Sequence, residues 1–175
     1  MKQLNTYLIE KLKVSNKSTY TYTLFPKDKG ELKEMIEDEI SKNGNECSLN
    51  HIDVSEITDL SKLFFMSDFN GDISEWDVSN VENMEKMFCR SNFNRDISNW
   101  DVSHVENMEK MFFDSLFNGD ISNWDVSNVT NMNAMFGYSK FNGDISEWNV
   151  SNVTDMEIMF SHSPLENNPP EWYKA

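Results

Sequence analysis

A segment of 24 residues is repeated along most of this chain with few changes. The sequence Phe-Asn-Gly-Asp-Ile-Ser-Glu-Trp-Asp-Val-Ser at residues 69–79 returns, with few substitutions, at 93–103, 117–127 and 141–151. A fixed period of this length predicts a repeat protein, in which each unit buries its apolar side against its neighbours. Identical side chains in rows build a scaffold, whereas catalysis requires unlike groups that converge on one point. The repeat therefore constrains the fold far more than the function.

The same period divides the chain into units. A degenerate first copy precedes the four clear ones, with Leu49 in the place of Ile73 and Ile52 in the place of Trp76. We therefore predict five coils, at residues 45–68, 69–92, 93–116, 117–140 and 141–164. The flanking segments are predicted to be an amphipathic helix and linker (1–18), a strand and helix that cap the first coil (19–44), and a C-terminal cap (165–175).

Each coil carries signals for a short strand and a short helix. The segment around Ile73 predicts a strand with the isoleucine inward, so that stacked coils would pair in a short parallel ladder. Ser79 and Glu82 form a capping box that predicts a helix start. The apolar residues that follow at helical spacing are Val81, Met84, Met87 and Phe88. The predicted fold is thus a repeat solenoid with a parallel ladder and one helix per coil, behind an N-terminal α/β cap.

The large apolar residues at equivalent positions are predicted to fill the interior of this stack. Met pairs at helical spacing beside Val and Phe indicate core filling rather than metal binding. The predicted structural rows are the phenylalanines Phe69, Phe93, Phe117 and Phe141, the isoleucines Ile73, Ile97, Ile121 and Ile145, and the tryptophans Trp76, Trp100, Trp124 and Trp148.

The repeated string Trp-Asp-Val-Ser-Asn-Val-x-Asn-Met-x-x-Met-Phe, followed by Phe-Asn-x-Asp-Ile-Ser-x-Trp, resembles the BspA-like leucine-rich-repeat surface proteins, which carry the mycoplasma-type lipoprotein repeat. The resemblance covers about residues 45–163. It implies a leucine-rich-repeat-like, right-handed solenoid of bacterial or phage origin. It also implies adhesion to proteins or cells, without enzymatic activity.

Composition restricts the partners. The formal net charge is −15 and no basic patch is visible, so nucleic acid is not an expected partner. No apolar run reaches membrane-spanning length. The N-terminal residues lack the pattern of an export or lipid-anchor signal, which favours a cytoplasmic or virion-associated location over the cell surface. We expect a monomer without a cofactor.

An acidic row is the one candidate for cation binding. Equivalent positions beside the predicted ladder hold Asp72, Asp96, Asp120 and Asp144. These carboxylates could bind a cation or a basic partner, or each could accept a local backbone N–H in an Asn-Gly-Asp turn. We favour the turn, because Ca²⁺ requires six to eight converging oxygens. The asparagines one corner earlier, from Asn70 to Asn142, predict a buried amide ladder.

Partner specificity is expected where the copies differ. The variable residues after each Met-Phe pair are Arg90, Phe113, Leu116, Tyr138 and Lys140. A second variable set, Glu75, Asn99, Asn123 and Glu147, borders the predicted ladder. Aromatic side chains with nearby cations are typical of binding hot spots. Local packing of Phe113 and Tyr138 against neighbouring loops is the open alternative.

These observations predict a non-catalytic protein-binding or adhesion-type module that displays variable loops to an unidentified protein partner. Two other hypotheses remain open. One is a phage-associated or packaged structural protein that docks through its N-terminal helix. The other is a carbohydrate- or cation-binding surface on the aspartate and tryptophan rows.

Overall fold

The computed structural model describes residues 21–174, so the amphipathic helix predicted within residues 1–18 lies outside the described part. One regular helix, α1 (Lys29–Asn43), is present in the described residues. It begins after Asp28, whose carboxylate accepts the Glu31 N–H at 3.0 Å, and it ends at Gly44, where φ is 82°. Both ends follow directly from capping chemistry.

Helix α1 closes the N-terminal end of the repeats. Leu32 and Ile36 are buried in the same core as the first coil. Upstream of the helix, Leu24 forms a single parallel bridge with Ile52 where a strand was predicted. The apolar face of α1 thus shields coil residues that have no preceding coil to cover them.

Residues one period apart lie directly over one another. The rings of Phe88 and Phe112 are nearly parallel, with centroids 5.7 Å apart, and Phe93 and Phe117 repeat this at 6.3 Å. Within a coil the two phenylalanine rows also touch, for example Phe88 and Phe93 at 4.3 Å. The buried core is therefore continuous from α1 to the last coil.

Each tryptophan fastens its coil to the one before. The indole Nε1–H of Trp100 donates to the Ile73 carbonyl at 3.1 Å, and Trp124 donates to Ile97 at the same distance. Since a buried indole N–H requires an acceptor, this bond fixes the ring against the preceding coil. The same bond is made by Trp76, Trp148 and Trp172.

Trp172 extends this row beyond the predicted coils. It follows Trp148 by one period, stacks on it at 6.5 Å, and donates to the Ile145 carbonyl at 2.9 Å. The segment predicted as a C-terminal cap therefore repeats the tryptophan half of a coil. The interior rows predicted from sequence are all buried, with exposed fractions of 4% or less.

The second half of each coil forms what we call the ribbon: residues 60–67, 84–91, 108–115, 132–139 and 156–163. Alternate N–H groups of one ribbon donate to the next coil at 2.8–2.9 Å in the second coil. The donors there are Met84, Lys86, Phe88 and Arg90, and the acceptors are the carbonyls of Asn107, Glu109, Met111 and Phe113. The intervening N–H groups close turns within the ribbon, as Met87 does to Met84.

The ribbon replaces the helix that the sequence predicts after Ser79. Two ribbon residues in each coil have positive φ, Lys86 and Arg90 in the second coil, both at 56°. A left-handed residue every fourth position interrupts an α-helix, and the freed groups bond between coils instead. Ser79 is not a helix cap, since its hydroxyl donates to Asp77 and the Glu82 N–H, which a cap would accept, donates to the Thr58 carbonyl. The apolar positions are buried as predicted, although the backbone differs.

The parallel pairing also lies at a different position from the predicted isoleucine ladder. One isolated parallel bridge per coil joins Asp59, Asn83, Asn107, Asn131 and Asp155 in succession. In the isoleucine row, the carbonyls of Ile73 and its equivalents accept from the tryptophan side chain of the following coil. The indole thus takes the place of the backbone donor that a ladder would need.

Replacing Trp124 by alanine should destabilise the fold by about 3–5 kcal/mol, because it opens a cavity in a middle coil. Trp124→Phe retains a ring but removes the indole bond to the Ile97 carbonyl, which keeps only the Trp100 N–H at 3.1 Å. We expect a loss of about 1–3 kcal/mol from the lost bond and the smaller ring. Urea unfolding followed by circular dichroism measures both. Tyr138→Ala, at a residue that is 50% exposed, serves as the control and should cost little. Equal losses for Trp124→Ala and Tyr138→Ala would contradict this division of roles.

Replacing Met66 by glycine should stabilise the protein by about 0.5–1 kcal/mol, because a left-handed conformation strains every residue except glycine. Met66 has φ 54° and is 62% exposed, so little packing is lost. Glu56→Gly, at an exposed position of the same coil that lacks a positive φ, is the matched control and should destabilise. The measurement is the shift in thermal midpoint. A loss of stability in both variants would show that the ribbon is not strained.

Candidate interaction surface

The second positive-φ residue of each ribbon points outward and differs in every coil. We call these five exposed residues the variable row: Met66, Arg90, Asp114, Tyr138 and His162. The phenylalanine two residues earlier and the serine one residue later are the same in every coil. The fold therefore presents unlike side chains at regular intervals on one backbone conformation.

Three aromatic side chains meet at the C-terminal part of the variable row. The Tyr138 ring stacks on the His162 ring with centroids 4.3 Å apart and an angle of 5°, and the Phe113 ring is tilted by 59° to Tyr138 with centroids 5.5 Å apart. Gly137 makes room for this group, since a Cβ there would lie 3.1 Å from the Phe113 ring. Tyr138 stays 50% exposed. The aromatic side chains thus pack against one another and also remain accessible to a partner. His162 belongs to this group although it was not among the binding residues predicted from sequence.

The other residues predicted to bind a partner near these aromatics, Arg90, Leu116 and Lys140, do not join the aromatic group. Leu116 is 48% exposed, and Lys140 is also exposed. Arg90 Nε lies 3.4 Å from an Asp114 carboxylate oxygen across one coil step. Both partners of this pair are about half exposed, so it contributes little to stability. The arginine is therefore partly engaged within the chain.

The other predicted set lies immediately before the tryptophan in the Asp-Ile-Ser-x-Trp segment of the second to fifth coils. Asn99, Asn123 and Glu147 are exposed, whereas Glu75 is half-buried and its N–H donates to Asn50. This segment belongs to the tryptophan half of the coil rather than to the ribbon. The two predicted sets therefore occupy different halves of the coil.

The acidic row is engaged in local turns. Asp96 accepts the Ser98 N–H at 2.9 Å, and Asp120 accepts the Ser122 N–H at 3.0 Å. Asp72 and Asp144 make the same bond. Hydrogen bonds from the Ser98 side chain and backbone hold the pKa of Asp96 below its ordinary value. Backbone and side-chain bonds from Ser122 do the same for the pKa of Asp120. Within residues 21–174 no cluster of three or more histidine, cysteine or acidic residues could hold a metal ion.

The asparagine row forms an amide ladder, but an exposed one. The Asn94 N–H donates to the Asn70 side chain at 2.9 Å, and Asn118 and Asn142 continue the series. Asn94, Asn118 and Asn142 are exposed, contrary to the predicted burial, because the bonds run along the outer corner of the coils.

A ladder of alternating charges was missed by the sequence reasoning. Lys86 Nζ lies 3.4 Å from Glu109, and Lys62 lies at the same distance from Glu85 of the following coil. Lys110 pairs with Glu109 at 2.7 Å. The sequence feature that could have predicted this ladder is the Glu-Lys pair at 85–86, which recurs one period later at 109–110. The fourth and fifth coils have Ala134 and Ile158 at the lysine position, so the ladder ends there.

The stacked coils and the periodic interior define the class of the molecule as a repeat protein. Residues 31–116 and residues 89–174 each match the family described as Mycoplasma protein of unknown function, DUF285. The two matches overlap and together span residues 31–174, so the chain belongs to this family. No curated protein and no solved structure is significantly similar to it. In the described range 21–174, no helix combines the length and apolar character needed to cross a membrane.

Acid should weaken the fold. The pKa of Asp96, Asp120 and Asp144 is lower in the folded state than the ordinary aspartate pKa of 3.8. Their ionised carboxylates therefore stabilise the fold at a pH above 3.8, and this stabilisation is lost as the pH falls below it. The thermal midpoint should therefore decline as the pH is lowered below about 4.

The variant Asp120→Asn tests the cause of this decline. Asparagine keeps the turn acceptor, as Asn149 does toward the Ser151 N–H at 3.2 Å. It should therefore fold normally and show a shallower loss of stability in acid. A thermal midpoint that rises between pH 5 and pH 3 would contradict the depressed pKa values.

Proposed function

We propose that this chain is a non-catalytic protein-binding module of the BspA-like leucine-rich-repeat type, a right-handed solenoid that displays its variable row to a protein partner. The observation that supports this proposal is the aromatic group on the otherwise repetitive framework, in which the exposed Tyr138 and His162 rings stack and the half-buried Phe113 packs beside them. Exposed aromatic anchors held by a rigid backbone lose little conformational entropy on binding.

The rest of the framework has structural tasks. The four tryptophans of the predicted row are buried and donate to carbonyls of the preceding coil, so they offer no face to a carbohydrate. One oxygen of each carboxylate in the acidic row accepts a turn N–H group. These contacts favour protein binding by the aromatic stack over the carbohydrate- or cation-binding alternative.

Partner binding should depend on Tyr138. The partner is isolated by affinity capture from the source organism and its dissociation constant is then measured with the purified proteins. Tyr138→Ala should weaken binding by about 30-fold, equivalent to about 2 kcal/mol for a central aromatic anchor. Met66→Ala, in the same row but at the other end, is the matched control and should bind normally. Unchanged affinity of the Tyr138 variant would exclude the aromatic stack.

Deletion of residues 1–18 distinguishes the docking alternative. A phage-associated or packaged protein that docks through this segment would lose its partner on deletion and keep it in the Tyr138 variant. A protein-binding module on the variable row gives the opposite pattern. Circular dichroism of the truncated chain checks that the repeats stay folded.

A further inference from the structure

In every earlier ribbon, alternate backbone N–H groups donate to the next coil. The last ribbon, residues 156–163, carries the equivalent N–H groups at the end of the stack. In the fourth coil, the N–H groups of Met132 and Tyr138 donate to the fifth coil at 2.7 Å, and those of Ala134 and Phe136 do so at 2.9 Å. The equivalent donors one period later belong to Met156, Ile158, Phe160 and His162. No group within residues 21–174 accepts from these four N–H groups. They form an open edge, comparable to the edge strand of a sheet.

The C-terminal segment covers only the other half of this coil. Trp172 lies over Trp148 in the tryptophan half, and Tyr173 reaches back to contact Phe160 with ring centroids 4.9 Å apart. Between this segment and the open edge lies a cavity of about 780 Å³. A space of this size accommodates several side chains.

The lining of the cavity is apolar with an excess of negative charge. Its apolar part includes Ile158, which is 58% exposed at the position where three other coils have lysine. Three acids, Asp155, Glu157 and Glu166, also line the cavity, against the single cation Lys174. At the C-terminal end of the stack, an apolar and acidic surface therefore replaces the charge ladder. The unpaired N–H groups of the last ribbon lie at the same end.

The opposite end of the stack is closed, which argues against a second copy as the occupant. Helix α1 buries Leu32 and Ile36 against the first coil, and Lys29 Nζ bonds Asp59 at 3.2 Å beside the first ribbon. A head-to-tail copy would have to displace this helix. The formal net charge of −15 adds repulsion between copies.

We propose that this open end binds a short extended peptide segment of a partner protein. The carbonyl groups of that segment accept from the four N–H groups of the edge, an apolar side chain enters the cavity beside Ile158 and Phe160, and basic side chains face Asp155 and Glu157. Main-chain bonds to an open edge and a pocket for side chains are the two components of strand-addition recognition. This site shares His162 with the variable row, but neither Tyr138 nor Phe113 lines its cavity.

The probe for this site is a peptide with the sequence of residues 126–140. By the spacing between coils, its carbonyls equivalent to Asn131 and Asn133 would lie opposite the N–H groups of Met156 and Ile158. Two further peptides replace both asparagines by lysine or by glutamate. Titration calorimetry with the full chain should show the lysine peptide binding at least 10-fold more tightly than the glutamate peptide. Failure of all three peptides to bind at millimolar concentration would overturn the proposal.

The variant Ile158→Lys restores the residue that this position has in the first three coils. Lys62, Lys86 and Lys110 adopt the same positive φ, so the variant should fold. Its ammonium group fills the acidic end of the cavity, and we expect at least 10-fold weaker binding of the lysine peptide. Met66→Lys makes the matched change at the opposite end and should leave peptide binding intact. Equal binding by both variants would contradict the assigned location.

Amide hydrogen exchange tests the edge directly. In the free protein, the amides of Met156, Ile158 and Phe160 should exchange faster than those of Met132, Ala134 and Phe136, and the lysine peptide should protect them. Equally slow exchange of both sets in the free protein would show that the edge is already covered. Protection that instead increases with protein concentration, accompanied by dimers in sedimentation, would make a second copy the occupant and would overturn the proposal. Tyr138→Ala should leave the protection of Met156, Ile158 and Phe160 by the peptide unchanged, since Tyr138 does not line the cavity.

Discussion

The bond from each tryptophan indole to the carbonyl of the preceding coil is the interaction on which the stack depends. It joins two residues 27 positions apart, from Trp76 and Leu49 to Trp172 and Ile145. The ring fills the interior while its N–H satisfies a buried acceptor, so packing and polar satisfaction are provided by one side chain. Because this carbonyl is already occupied, backbone pairing lies elsewhere in the coil, in the asparagine bridges and the ribbon.

The ribbon couples stacking to display. Its alternate N–H groups hold neighbouring coils together, and the turns place two residues per coil in the left-handed region, of which the second is exposed in every coil. Of the ten non-glycine residues with positive φ within residues 21–174, only Ala134 is buried in the core. The side chains of the variable row can therefore differ without disturbing the bonds beneath them, which is how Tyr138 and His162 come to stack on the surface.

Much of the stack could be predicted from sequence, because the period reveals which positions are equivalent and apolar ones such as Trp124 and Phe117 must be buried. The backbone of the second half could not. Val81, Met84, Met87 and Phe88 fit a helix by spacing, and only the inter-coil bonds show that they form a ribbon. Residues such as Lys86 and Arg90 give no local sign of positive φ. Trp172 was within reach, since it follows Trp148 by one period. The contact between Tyr138 and His162 was also within reach, since they occupy equivalent positions.

The near identity of the buried rows has a consequence for how such a chain can change in length. The lower surface of one middle coil matches the upper surface of any other, as the equivalent stacks Phe88–Phe112 and Phe112–Phe136 show at 5.7 and 5.8 Å. Duplication or loss of one 24-residue unit in the gene would therefore leave every remaining junction intact. It would also bring different members of the variable row next to each other. Unequal recombination between the copies can thus create new surfaces without a single substitution in the interior.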